Sequence, residues 1–107
     1  LVADEAAADL GGLQIAAQAF EKDLDRRSVS GQKRKTERQN FFVSFAQTLA
    51  KVTTDDYKAA YYSTSPLAYD EIRVQGTVPA VYRWYDAFDV KSDNRMYLAP
   101  AKRTRLW

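Results

Sequence analysis

Phe41, Phe42, Phe45 and Leu49 recur three and four positions apart, so a helix over residues 37–52 carries a continuous aromatic stripe along one side. A stripe of that size needs a second element to bury it, and this requirement makes a helical fold the starting point. Residues 4–24 supply a candidate partner. They are rich in Ala, Leu, Gln and Glu, with Leu13, Ala16, Ala17 and Phe20 at helical spacing. Gly11 and Gly12 interrupt that stretch and predict a joint in the helix. Between the two, residues 25–36 combine Ser28, Ser30, Gly31 and many basic side chains with no apolar period, the pattern of a protease-sensitive surface loop.

Beyond the stripe, Thr53 or Thr54 can cap a short helix reaching about Tyr62, with Asp55 and Asp56 in its first turn where negative charge suits the helix dipole. A turn-rich stretch around Pro66 follows. Ile72, Arg73 and Val74 read as a short extended piece ending at Gly76, and Pro79 suits the first turn of a helix reaching Phe88. Residues 89–107 read as irregular. The predicted fold class is mainly α with long irregular connections.

The chain has 107 residues, enough for one modest core. A formal net charge of +2 gives no argument for nucleic acid as a partner, although basic residues cluster between Arg26 and Arg38 and between Lys102 and Arg105. The chain holds neither Cys nor His, so it has no thiolate or imidazole ligand and no disulfide. No apolar run reaches the length of a membrane span, and there is no secretory leader pattern. A start at Leu1 rather than Met predicts that the chain is processed or cut from something longer, which leaves localisation open.

Few residues invite chemistry. Glu5 and Asp9 stand four apart, so a helix puts both carboxylates on one face, where one can ligate a metal and the other orient a neighbouring ligand. Acids in a first helical turn also serve the macrodipole, and spacing alone does not separate the two roles. Arg73, between two apolar residues, can present paired donors to a carbonyl or carboxylate, or form a surface salt bridge. The tyrosines at 57, 61, 62, 69, 82 and 85 read as packing groups with a wet hydroxyl. Apolar Leu106 and Trp107 predict a docked chain end whose carboxylate pairs with a basic group.

Taken in order, these features resemble the C-terminal end of the neprilysin and endothelin-converting-enzyme family of zinc metallopeptidases. Glu5 through Leu13 is similar to that family's Glu-Asn-x-Ala-Asp followed by Gly-Gly. Phe41 through Gln47 resembles its Phe-Phe-x-x-Phe-Ala-Gln helix, and Ser65-Pro66 with Arg73 through Gly76 its Ser-Pro and Arg-Val-x-Gly. Met96, Tyr97, Pro100 and the closing Arg105-Leu106-Trp107 resemble its last segment. The resemblance implies the C-terminal helical part of a thermolysin-like (zincin) catalytic domain over residues 1–107. The HExxH-bearing part is absent from this chain, which is therefore expected to be inactive alone.

By that resemblance the parent is a zinc-dependent endopeptidase that hydrolyses peptides by metal-activated water. Glu5 is then the third zinc ligand, Asp9 the carboxylate that orients a ligand His, and Arg73 the group that binds the substrate backbone. One zinc ion is implied, completed by ligands outside the chain, and the implied partners are peptide substrates and the missing N-terminal part of the catalytic domain. Two positions depart from the family. Thr64 stands where a His usually precedes the Ser-Pro pair, which makes Thr64 and Tyr69 the candidate oxyanion donors. Thr104 stands where mammalian members carry a Cys, which points to a bacterial member. Family members are usually extracytoplasmic or membrane-anchored, and some bacterial ones are cytoplasmic. The alternatives are a non-catalytic relative that binds peptides or a partner protein, and a helical interaction module. Self-association of the isolated chain is expected if a helix face made for an absent neighbour lies open.

Overall fold

The computed structural model describes residues 2–49, 54–64 and 70–106, and side chains for all of these except residues 2, 3, 5, 58, 61–64 and 70–72. Helix α1 (Val2–Arg26) runs unbroken through Gly11 and Gly12, where the sequence predicts a joint. Each glycine weakens a helix by about 1 kcal/mol relative to Ala. The Ala-rich flanks and the burial of Leu13 and Ala17 in the core offset that cost.

Helix α1 stops in a Schellman turn. Ser28 adopts a left-handed φ of 55°. Its N–H donates to the Asp25 carbonyl while the Val29 N–H donates to the Leu24 carbonyl, the bond pair that defines the motif. Leu24 and Val29, the apolar pair that flanks such a turn, are both buried. Gly31, at φ 61°, then opens α2 (Gly31–Leu49). The loop expected over residues 25–36 is therefore confined to residues 27–30, and the rest of it is the start of a helix. Its basic residues hide the helix from a hydrophobicity pattern because they are spent on ion pairs. Arg34 and Arg38 reach Glu21 on α1, and Arg27 reaches Glu37. Arg26 and Lys35 also pair with carboxylates, so most of this basic cluster is paired within the fold.

Helices α1 and α2 run antiparallel, with Phe20 stacked on Phe41 at 5.0 Å between ring centroids. The core gathers Leu13 and Ala17 from α1, Phe42 from α2, and Val78, Val81, Trp84 and Ala87 from the second half of the chain. Of the aromatic stripe, Phe42 is the buried member, and Phe41 and Phe45 pack against the cluster.

Helix α3 (Asp55–Thr64) starts as expected, with the Thr54 hydroxyl accepting the Tyr57 N–H at 3.1 Å. Residues 72–74 are not extended: they lie in α4 (Asp70–Gln75). Two β-branched residues around one Arg mimic a strand's alternation, and six residues are too few to display a helical period. The buried Thr77 hydroxyl closes this turn by donating to the Arg73 carbonyl at 2.6 Å. Pro79 belongs to a 3-10 turn (Val78–Ala80), and α5 (Tyr82–Phe88) follows it, ending at Asp89 with φ 51°.

The remainder is irregular apart from a 3-10 turn (Pro100–Lys102), as expected. It is held by Tyr85, whose hydroxyl donates to the Pro79 carbonyl and accepts the Leu98 N–H at 3.2 Å. The Arg103 guanidinium stacks 3.6 Å from the centroid of the same ring and donates to the Leu98 carbonyl. There is no strand among the described residues, and no helix among them is long and apolar enough to cross a membrane.

Candidate functional site

Asp9 and Arg73 lie 64 positions apart and meet side by side. Arg73 Nε donates to one Asp9 carboxylate oxygen at 2.8 Å, and an Arg73 terminal nitrogen donates to the other at 2.9 Å. This fork fixes the carboxylate plane as well as its position, which a single point charge cannot do. The two side chains are 14% and 21% exposed, so the pair is largely withdrawn from water and its attraction is only partly screened. Thr77 holds the turn that carries Arg73, and the unbroken α1 holds Asp9.

An ionised carboxylate has about four lone-pair positions, and the fork engages one on each oxygen. Asp9 can therefore accept a further donor, such as an imidazole N–H, without releasing Arg73. Glu5 stands one helical turn before Asp9 on the same helix, so the two share a face; its side chain lies outside the described residues. Thr64 is the last residue of α3, and its side chain is likewise outside them. Tyr69 falls outside the described residues altogether.

A groove of about 780 Å³ separates α1 from α2, and Asp9 stands on its wall beside Gly12. The rest of the lining is mainly apolar, including Leu13, Ala16, Phe41 and Phe45. The carboxylate thus borders an apolar cleft, an environment that strengthens its hydrogen bonds.

Among the described residues no three of His, Cys, Asp and Glu gather closely enough to hold a metal ion. With neither His nor Cys anywhere in the chain, a zinc centre could draw only oxygen donors such as carboxylates from it, and any imidazole ligand would have to come from elsewhere. The strongest charge cluster lies elsewhere, at the Glu21 carboxylate, which accepts from Arg34 at 2.9 Å and from Arg38 at 2.8 and 2.6 Å. Burial pushes the Glu21 carboxyl up, but hydrogen bonds from Arg38 and Arg34, helped by their charges, outweigh it and hold the group below the usual carboxylate range. This cluster ties α1 to α2.

One polar contact escaped the sequence reading. Gln14, only 7% exposed, sits on the core-facing side of α1 beside Leu13 and Ala17 and hydrogen-bonds to the backbone of residues 104 and 106. A polar residue sharing an apolar face was the available signal.

The model of peptidase family M13 matches residues 1–104. Neprilysin-3 of Drosophila melanogaster is 32% identical over 104 residues, covering 94% of this chain and 13% of its own length. A neutral endopeptidase of Lactococcus lactis subsp. cremoris is 30% identical over 111 residues, covering all of this chain and 16% of its own. The chain thus spans less than a fifth of the length of these relatives. No solved structure matches it. The four ordered motifs, the mainly helical architecture and the match over nearly the whole sequence agree: the chain belongs to peptidase family M13, the neprilysin family of metallopeptidases.

Proposed function

We propose that this chain is the C-terminal portion of the catalytic domain of a zinc-dependent endopeptidase, and that it contributes Glu5 as a zinc ligand, Asp9 as the carboxylate that orients a ligand His, and Arg73 as the group that binds the substrate backbone. The observation that carries this reading is the Asp9–Arg73 fork. It joins the residue assigned to the metal side of the site to the residue assigned to the substrate side. Zinc, when bound, supplies a Lewis acid that polarises the scissile carbonyl and lowers the pKa of a water.

Asp9, held in plane by Arg73, accepts the N–H of a His contributed from outside this chain, which fixes the tautomer of that His and raises its basicity toward a metal. Arg73 binds a carbonyl of the peptide with the same guanidinium that holds Asp9, so substrate position and carboxylate position share one reference point. Peptides are the substrates this reading gives, and the remainder of the catalytic domain is the partner.

Thr64 in place of the family's His favours a second reading, in which the parent binds peptides without cleaving them. Peptide cleavage and zinc content measured together on the full-length protein separate the two. Zinc with cleavage that falls at least tenfold in Arg73→Ala supports the endopeptidase. Peptide binding that depends on Arg73 in a protein without zinc supports the second reading and overturns the first.

A further inference from the structure

The tail of the chain is seated by one side-chain amide. Gln14 Nε2 donates to the Thr104 carbonyl at 2.9 Å and lies 3.5 Å from the Ala80 carbonyl, while its Oε1 accepts the Leu106 N–H at 3.0 Å. The amide thus reads both polar groups that an extended backbone presents, as a neighbouring strand would. Thr104 and Leu106 have exposed side chains, and it is their backbone that Gln14 holds, after Arg103 has been anchored on Tyr85.

Gln14 lies five residues after Asp9 on the same helix, which places it about 140° round the axis and about 7.5 Å along it. Helix α1 is accordingly gripped on two flanks: by Arg73 at Asp9, and by the tail at Gln14. A rigid helix held at two such points cannot rotate or slide without breaking one of them.

We infer that Gln14 is a positioning residue: by strapping residues 104–106 across α1, it sets the rotation and height of the helix that presents Glu5 and Asp9. The inference rests on the proposed roles of those two residues. It assigns the tail a task at the metal site although Gln14 itself lies on another flank of the helix.

The test uses the full-length protein with zinc affinity measured against a competing chelator. Gln14→Glu keeps the acceptor for the Leu106 N–H but loses the donor to Thr104 and sets a carboxylate oxygen against a carbonyl. A stop after Arg103 removes the strap altogether. Each change is expected to weaken zinc binding about tenfold, in the range of outer-shell losses, and the two together no more than either alone. Hydrogen exchange at the Leu106 N–H quickens about tenfold in Gln14→Glu. In a Glu5→Gln, Asp9→Asn background Gln14→Glu has no further effect on zinc affinity, whereas a role independent of those two carboxylates adds its own loss. Unchanged zinc affinity in both Gln14→Glu and the truncation, with Glu5→Gln and Asp9→Asn still impaired, overturns the role of Gln14 alone. Unchanged affinity in Glu5→Gln as well overturns the assignment on which it rests.

Discussion

Arg73 on α4 holds both carboxylate oxygens of Asp9 on α1, at 2.8 and 2.9 Å, and so ties together two motifs that are distant in sequence. A lysine cannot reproduce the fork. Arg73→Lys is expected to lower kcat/KM at least tenfold in the full-length protein and to cost about 1–2 kcal/mol of stability. Arg73→Ala, which strands the Asp9 charge in a mostly buried place, costs about 2–3 kcal/mol, somewhat less than the loss of one member of a fully buried pair. Urea unfolding of the three proteins gives the order.

Thr77 acts on the same turn from below. It is 1% exposed, and its hydroxyl donates to the Arg73 carbonyl. Thr77→Val keeps the shape but removes the donor, and is expected to cost about 1–2 kcal/mol in urea unfolding. A loss below the error of the measurement shows that the bond does not secure α4.

The Glu21 cluster gives a pH dependence with a definite sign. The carboxyl titrates below its ordinary value of 4.5 in the folded chain, because Arg38 and Arg34 outweigh the opposing effect of burial. The folded state therefore binds this proton less readily than the unfolded state does. The stabilisation is fully present above the ordinary value and fades as pH falls through the folded one. Glu21→Gln is expected to cost about 1–3 kcal/mol at pH 7, with the gap to the unmodified protein closing as the pH is lowered below the ordinary value of 4.5. Parallel stability curves from pH 7 to pH 3 contradict the assignment.

The turn between α1 and α2 offers two opposite substitutions. Ser28 holds a left-handed φ of 55° in a Schellman position that glycine fills without strain. Ser28→Gly is expected to stabilise by about 1 kcal/mol, and Gly31→Ala, at φ 61°, to destabilise by about 1 kcal/mol. Shifts in urea midpoint read both signs, and a loss from Ser28→Gly contradicts the strain argument.

The aromatic stripe of α2, the Thr54 cap and the four family motifs were legible because each is a local pattern with one physical meaning. The joint expected at Gly11 and Gly12 was not there, since glycine propensity is a weak term beside the packing of Leu13 and Ala17. The start of α2 was hidden because Arg34 and Arg38 are stabilised by Glu21, a contact made across the fold. Residues 72–74, inside the helix at residues 70–75, read as extended because Ile72 and Val74 flank Arg73 and imitate strand alternation. Asp9 and Arg73 could each be singled out from the sequence, but their contact could not, because nothing local links residues on α1 and α4. Gln14 was overlooked for a related reason: its partners are 90 and 92 positions away.

The most direct test of the central claim is the zinc content of the full-length protein, measured by elemental analysis after dialysis against a zinc buffer, with and without Glu5→Gln. The account predicts one zinc per chain in the unmodified protein and a loss of most of it in Glu5→Gln. Equal zinc in both proteins, or none in either, contradicts the assignment of Glu5 as a ligand.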